Sequence, residues 1–253
     1  IIGYKEVITK VKSNMIVLME PIVLRGDQIN VSANRAISGV TPVSFSNLSS
    51  KEIETRYTVE DVPMVLSTEP GIWAYSESGN GTGYSYVSIR GFDQSRIGVM
   101  IDGVPLNDNE SHQVYWVDHG DILADAKNVQ IQRGIGNSLY GASAFGGSIN
   151  LNTQIGSDKR EIDMEIGSGE WNTKKYRARY RSGKDLGEDI SLTLRTSQIK
   201  SDGYRDFHNS KQNGFFLGLE HRGTKFTNQF RSLIGYENTQ LAWDGIYLDD
   251  IND

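Results

Sequence analysis

In several runs between residues 160 and 240, apolar residues recur at every second position. Ile162, Met164 and Ile166 form one row, Tyr176, Ala178 and Tyr180 a second, and Ile190, Leu192 and Leu194 a third. Phe226, Phe230 and Ile234 fall on one parity, with Asn228 and Ser232 between them. The intervening positions are mostly Lys, Arg, Asp, Glu, Ser and Thr. A helix would repeat about every 3.6 residues; a period of two belongs to a strand, whose successive side chains point to opposite faces. Five segments of this texture follow one another between short polar turns: KREIDMEIG, TKKYRARYRSG, DISLTLRTSQIK, NGFFLGLEHRG and TKFTNQFRSLIGYENTQ. They predict an antiparallel sheet with one apolar and one polar face.

The burial of one face or the other decides what such a sheet is. In a water-soluble sandwich the apolar side turns inward. In an outer-membrane barrel it turns outward to lipid, and the polar side lines the lumen. Periodicity leaves both open. Trp171, Tyr204, Trp243 and Tyr247, near strand ends, hint at the aromatic girdles of a barrel. Hydrophobic residues make up 37% of the 253, below the usual share for a compact globular domain. The 27 glycines, and 12 tyrosines against 8 phenylalanines, suit tight turns and half-exposed strands better than a helical bundle. No apolar run approaches the roughly 18 residues of a spanning helix, which excludes a helical membrane protein but not a barrel. A net charge of −6 gives no electrostatic reason to expect nucleic acid. The lack of cysteine excludes disulfides, zinc–thiolate and iron–sulfur sites and a cysteine nucleophile, and suits an extracytoplasmic compartment. Residue 1 opens inside an apparent strand, IIGYKEVITKV, without a signal peptide, so the chain is expected to be the middle of something longer.

The first 155 residues have a different texture. Alternating runs at 6–11 and 15–19 predict a small hairpin. RGDQINVSANRAISGVTPVSFSNLSS (25–50) reads as an extended polar linker, in which the RGD triplet is a chance occurrence. Ser49 and Glu52 have the spacing of a capping box, Thr58 and Asp61 repeat it, and Pro63 limits the following helix to a short one within 59–67. YSESGNGTGYS (75–85) is a flexible loop, and YVSIRG (86–91) and RIGVMIDGV (96–104) are strands. The second strand ends at Asp102-Gly103, a tight-turn signal. PLNDNESHQVYWVDHG (105–120) is a long polar loop, and a short helix around 121–126 leads into a strand at 129–132.

Two stretches carry a family resemblance. VSIRGFDQSRIGVMIDGVPLND (87–108) resembles the plug signature of TonB-dependent outer-membrane receptors: a strand into Arg-Gly, then a strand ending in Asp-Gly-Val-Pro. VQIQRGIGNSLYGASAFGGSINLNT (129–153) resembles the second signature: a strand into Arg-Gly, a Tyr-Gly, a small-residue run, then Gly-Gly and an Ile-Asn strand. The resemblance covers 27–155 as the plug and, more loosely, 158–253 as barrel strands. Residues 1–24 are similar to the end of the carboxypeptidase-regulatory-like β-sandwich that precedes some such receptors. This chain departs from the family in having Ile135-Gly136 where Pro is common, and Pro63 in the expected early helix.

The resemblance implies an α+β plug with a small mixed sheet, followed by antiparallel β-strands of a transmembrane β-barrel. It divides the chain into the end of a sandwich (1–24), a linker (25–48), the plug (49–155) and the first barrel strands (156–253). Five lipid-facing strands would leave unpaired edges in hydrocarbon, so further strands are expected beyond Asp253. The implied setting is the outer membrane of a Gram-negative bacterium, with the plug inside the barrel and the N-terminal segment periplasmic. The implied function is energised uptake of a scarce nutrient, an iron complex slightly ahead of a glycan, cobalamin or a peptide. The implied partners are TonB with its inner-membrane energising complex, the imported ligand, outer-membrane lipid and, in some systems, a surface lipoprotein.

Site residues follow by position. Asp27, Gln28, Ile29, Asn30, Val31 and Ser32 lie where the family carries the segment gripped by TonB. Ile29 and Val31 alternate with polar residues, as strand addition to a partner sheet requires; an ordinary linker strand is the other reading. The family's two Arg-Gly arginines meet barrel carboxylates, a role that falls to Arg90 and Arg133 here; otherwise they are surface arginines at strand ends. Trp73, Tyr75, Tyr84, Tyr115 and Trp116 belong to loops at the plug's outward tip, the candidates for touching cargo. His112 and His119 have no spacing that fixes a metal, and the acidic DGIYLDDIND (244–253) lacks calcium-loop spacing, so no metal or cofactor is expected. No Gly-x-Ser-x-Gly, His-Glu-x-x-His or phosphate loop is present, which argues against an enzyme. The competing reading is a soluble or surface β-rich module that binds a glycan or protein, its apolar faces buried together.

Overall fold

The computed structural model describes residues 16–18, 20, 35–134, 144–157, 159–187, 189–223 and 226–241. Most of the sandwich expected over 1–24, the TonB-contact segment 27–32, the middle of the small-residue run, and the acidic end with Trp243 and Tyr247 lie outside the described residues.

The plug is built on a mixed five-stranded sheet. Its strands are β1 (Ser44–Ser49), β4 (Ile97–Ile101), β5 (Val104–Pro105), β6 (Ala126–Arg133) and β7 (Gly147–Thr153), in the order β1-β6-β7-β4-β5. Among the described residues only the β4–β7 pair of this sheet is parallel. β1 lies inside the stretch read as linker. Its sequence, SFSNLS, alternates too weakly to announce a strand, and Leu48 is its one fully buried residue. Helices α1 (Ser50–Arg56) and α2 (Val62–Leu66) follow, then a hairpin of β2 (Ile72–Ser76) and β3 (Ser85–Ile89).

Local chemistry explains the boundaries. Ser49 and Glu52 form the predicted capping box, each side chain accepting the other's backbone N–H. Pro63 sits in the first turn of α2, where its missing donor costs nothing. The helix expected around 121–126 is a tighter 3₁₀ turn over Ile122–Asp125. The first Arg-Gly step is itself a hairpin turn: Ile89 and Phe92 exchange backbone bonds of 3.0 Å, and Arg90 and Gly91 both have positive φ (51° and 84°). Asp102-Gly103, at 51° and 85°, repeats that conformation between β4 and β5. One core gathers Leu48, Ile53, Leu66, Ile89, Val99, Trp116, Val129, Ile131, Ile149 and Leu151 between sheet and helices.

The second signature's Gly-Gly has a packing reason. A Cβ on Gly146 would lie 2.5 Å from Phe92 Cβ and 2.9 Å from the Arg96 carbonyl oxygen, and one on Gly147 would lie 2.5 Å from the Gln132 carbonyl oxygen. Two backbones close on each other here, and only glycine leaves the room.

The predicted five strands form one antiparallel wall in sequence order: β8 (Glu161–Ser168), β9 (Lys174–Arg181), β10 (Ile190–Ser201), β11 (Ser210–Arg222) and β12 (Thr227–Thr239). Its faces settle the question that periodicity left open. Met164 is 77% and Ile166 81% exposed, with Ile162, Phe226, Phe230 and Ile234 in the same outward set. The polar parity is the buried one: Lys175, Arg195, Ser197, Gln212 and Glu220 point inward. An apolar outside and a polar inside are the reverse of a soluble sandwich.

Gly146→Ala is expected to lower stability by about 1–3 kcal/mol, as overpacking does, visible as a drop in the melting temperature of the full-length protein. Gly167→Ala, whose Cβ would meet Lys175 Cβ at an ordinary 3.6 Å, is the control and is expected to leave it nearly unchanged.

Candidate functional site

The wall meets the plug through charges. On β9 the alternation turns Lys175, Arg177, Arg179 and Arg181 to one face. Glu165, Asp163 and Glu161 of β8 stand directly across from the three arginines in register. Arg181 pairs with Glu161 at 2.9 Å and Arg177 with Glu165 at 2.5 Å, while Asp163 lies 3.5 Å from Arg177 and 3.8 Å from Arg179.

From the plug side, Asp121 enters this network. Its carboxylate lies 3.0 Å from Lys175, 3.6 Å from Arg195 and 3.7 Å from Arg177, and it accepts the Tyr57 hydroxyl at 2.6 Å. Asp125 holds Arg195 Nε at 2.5 Å, and Arg179 donates to the Ala124 carbonyl at 2.5 Å. Lys175 also donates to the Thr58 carbonyl and sits 4.1 Å from the centre of the Tyr57 ring. The Asp121, Asp125, Lys175 and Arg195 side chains are almost wholly buried. Burial, then the Asp121 charge, holds the Tyr57 phenol well above its ordinary value. Burial also raises the Asp125 carboxyl, against the pull of Arg195. Further along the wall, Arg231 of β12 lies 3.1 Å from Asp102. Each of these plug–wall pairs therefore places the acid on the plug and the cation on the wall. Between α1 and the β8–β9 ladder lies a polar cavity of about 410 Å³, lined by Glu54, Tyr57, Arg177, Arg179 and Arg181 among others, roomy enough for water.

The two signature arginines converge although 43 residues apart, the Arg90 guanidinium lying 3.5 Å from the Arg133 carbonyl oxygen. A Cβ on Gly71 would touch both side chains. Arg133 donates to the Pro70 carbonyl at 2.6 Å and to Ser46 Oγ at 2.8 Å, and Glu69 lies 3.8 Å away. Burial lowers the basicity of its guanidinium; Glu69 opposes this and Arg90 adds to it. Among the described residues no ion pair joins either arginine to the wall.

The aromatic candidates divide. Trp73 stacks on Tyr75 at 5.0 Å between ring centres, and Tyr75 on Tyr86 at 4.9 Å, making a ladder on the β2–β3 hairpin whose Trp73 end is 62% exposed. Burial and then Glu77 push the Tyr86 phenol up to about 12, with Tyr75, Tyr84 and Tyr115 adding to the shift. Four of the five predicted contacts thus sit together, and Tyr86 is an addition that the strand pairing of Tyr75 with Tyr86 brings in. Trp116 is the correction. It is 2% exposed in the plug core, and its indole N–H donates to Gln94 Oε1 at 2.7 Å. An aromatic in a polar loop read as a surface side chain, but the loop folds back and uses it as a core anchor. Tyr204, a candidate for a lipid girdle, also meets the plug loop: its backbone N–H donates to the Ser78 carbonyl at 2.9 Å, and its ring edges Trp171 at 5.5 Å.

This arrangement has counterparts among known proteins. Residues 39–148 match the family model described as the TonB-dependent receptor plug domain. That stretch of the chain is a TonB-dependent receptor plug domain. Over 209 residues it is 28% identical to the vitamin B12 transporter BtuB of Vibrio vulnificus, covering 77% of this chain and 32% of that protein. Over 198 residues it is 24% identical to the ferric enterobactin receptor PirA of Pseudomonas aeruginosa, covering 72% and 26%. A solved structure of P. aeruginosa FpvA bound to pyoverdines shares the fold at a TM-score of 0.63 and 17% identity, over 79% of this chain and 26% of that one. The chain spans about a third or less of the length of these relatives. Proteins that carry this plug are outer-membrane proteins of Gram-negative bacteria, and the five-stranded wall has the fold of a segment of such a barrel.

Sequence reasoning missed the Asp121 and Asp125 contacts. The inward cations were legible as the polar parity of KKYRARYR, but nothing in one sequence joins Asp125 to Arg195, 70 residues away. Arg195→Ala leaves two buried carboxylates short of a partner and is expected to destabilise the full-length protein by about 3–5 kcal/mol. Thermal unfolding in detergent checks this. A change below about 1 kcal/mol would show that the other cations suffice.

Proposed function

We propose that this receptor takes up a scarce nutrient across the outer membrane with energy delivered through TonB, by gated passage and without covalent chemistry. The observation that carries the reading is the inverted wall: apolar residues outward, and buried Lys175, Arg195 and Gln212 inward against a folded plug. A barrel filled this way is closed at rest, so passage requires the plug to move. The lack of any nucleophile–base motif agrees with a transporter.

An iron complex is the favoured cargo, supported by the likeness to the ferric enterobactin receptor. Cobalamin is the second reading, supported by the likeness to the vitamin B12 transporter. In either case Trp73, Tyr75, Tyr84 and Tyr115 are the first residues to meet cargo: Trp73 and Tyr75 offer packed ring faces on a rigid hairpin, and Tyr84 and Tyr115 lie close enough to act on the same Tyr86 phenol. Arg90 and Arg133 put two like charges side by side with Glu69 as their near carboxylate, an excess of positive charge that barrel carboxylates would neutralise. Asp27 to Ser32 serve as the strand that TonB pairs with.

Ile29→Pro removes a backbone donor from that strand. In cells carrying the full-length receptor, energised accumulation of labelled ferric enterobactin or vitamin B12 is expected to fall to background while binding to whole cells is retained. Equal loss of both would remove the TonB role from this segment. Tyr75→Ala is expected to do the opposite, weakening binding about tenfold or more, in line with the roughly 1–3 kcal/mol that a stacking aromatic contributes. Unchanged binding would move the cargo contact elsewhere.

A further inference from the structure

Asp61 is a buried carboxyl on the plug–barrel seam without a counterion. It is 7% exposed, and among the described residues no ion pair reaches it, unlike Asp102, Asp121 and Asp125. Its carboxyl ties two bodies together. Oδ2 accepts the Ser85 hydroxyl of β3 at 2.6 Å, and Oδ1 faces Nε2 of Gln212, on barrel strand β11, at 3.4 Å. Its backbone holds two more elements: the N–H donates to the Gly81 carbonyl at 2.8 Å, and the carbonyl accepts from Met64 at 3.0 Å as the cap of α2.

The surrounding charges leave Asp61 alone. Glu60, next in the chain, has its carboxylate engaged by the amides of Thr58 and Val59 and the Thr58 hydroxyl. A cavity of about 10 Å³, the size of one water, is lined by Asp61 together with Tyr57, Glu60, His119 and Asp121 from the plug and Ile199 from β10. Asp121 is already matched to Lys175, Arg177 and Arg195. Burial lowers the His119 pKa, with Asp118 opposing, so the imidazole brings no cation at neutral pH. β11 contributes the uncharged Gln212.

We propose that Asp61 is a proton-operated clasp between plug and barrel: the seam is dry and closed while the carboxyl carries a proton, and takes in water and loosens when the proton leaves. The protonated acid needs no counterion, whereas the carboxylate in the same place is an unpaired buried charge. Burial accordingly pushes its pKa up to about 7, with Ser85 and Gln212 pulling down and Glu60 pushing up. Because the closed-state value lies above that of a hydrated aspartate, the contribution to closure is full below about pH 4 and is lost as pH rises through about 7. The clasp requires only the contact of plug and wall, so it stands whichever cargo the receptor carries.

The test is hydrogen–deuterium exchange on the full-length receptor in detergent, without cargo, at pH 6 and 8.5, with rates corrected for the intrinsic effect of pH. Amides of α2 and of residues 81–85 are expected to open about tenfold more at pH 8.5, the change in proton linkage for such a shift. Asp61→Asn should abolish the difference, and the core amides of β6 and β7 should not show it. Ser85→Ala should move the midpoint to higher pH and Glu60→Gln to lower pH, which decides the matter if the Asn variant does not fold. Equal pH profiles in wild type and Asp61→Asn, or midpoints that move together in the other two variants, would overturn the clasp.

Discussion

Lys175, Arg177 and Arg195 point into a lumen from strands whose other faces are apolar, and the rest of the molecule answers to that constraint. Charged groups removed from bulk water need partners at close range, or they neutralise or draw water in. Asp121 and Asp125 supply those partners from the cap and the last residue of one 3₁₀ turn of the plug. The placement of that segment is set in turn by the apolar core beneath it, where Ile122 and Leu123 are buried. Plug packing and barrel polarity are therefore one problem: the core aims the acids, and the acids make the polar wall tolerable.

A plug that meets its wall through charges and amides differs from an ordinary core. Apolar interdigitation locks two surfaces by shape, and sliding them leaves voids. A seam of ion pairs and polar cavities can exchange partners with water as it parts, at a smaller penalty for each ångström moved. The glycines serve the same design. A Cβ on Gly214 of β11 would lie 2.5 Å from the Gly120 carbonyl oxygen, so the plug backbone rests directly on the strand with no side chain between them. Close backbone approach gives a tight seal over a small contact, which suits a stopper that has to leave its seat.

Much of this was legible in the sequence because the signals were local. Period-two alternation announced most of the wall strands, the Ser49–Glu52 spacing announced a cap, and Asp102-Gly103 announced a turn. Arg90-Gly91 and Gly146-Gly147 were legible as a pattern, though their reasons, a two-residue hairpin and a backbone crossing, required coordinates. What was not legible depended on partners distant in the chain. The inward face of the wall is set by what fills it, and alternation is blind to inside and outside. Trp116 was misplaced because its loop is polar, while its own burial comes from contact with Gln94 and the core. β1 hid in the linker because an edge strand with one neighbour needs little apolar character.

Asp61 and Asp121 show how little burial alone determines. Both are plug aspartates almost removed from solvent, and both line the same water-sized cavity. Asp121 faces three cations from β9 and β10, which give it a fixed place on the wall. Asp61 faces a hydroxyl and an amide, which orient a carboxyl without cancelling its charge. The difference arises from which inward residue stands opposite: Lys175 and Arg195 reach Asp121, whereas the residue that reaches Asp61 is Gln212. A single seam thus contains one acid whose charge holds plug to barrel and another whose charge works against that hold. Which of the two dominates locally is governed by the proton.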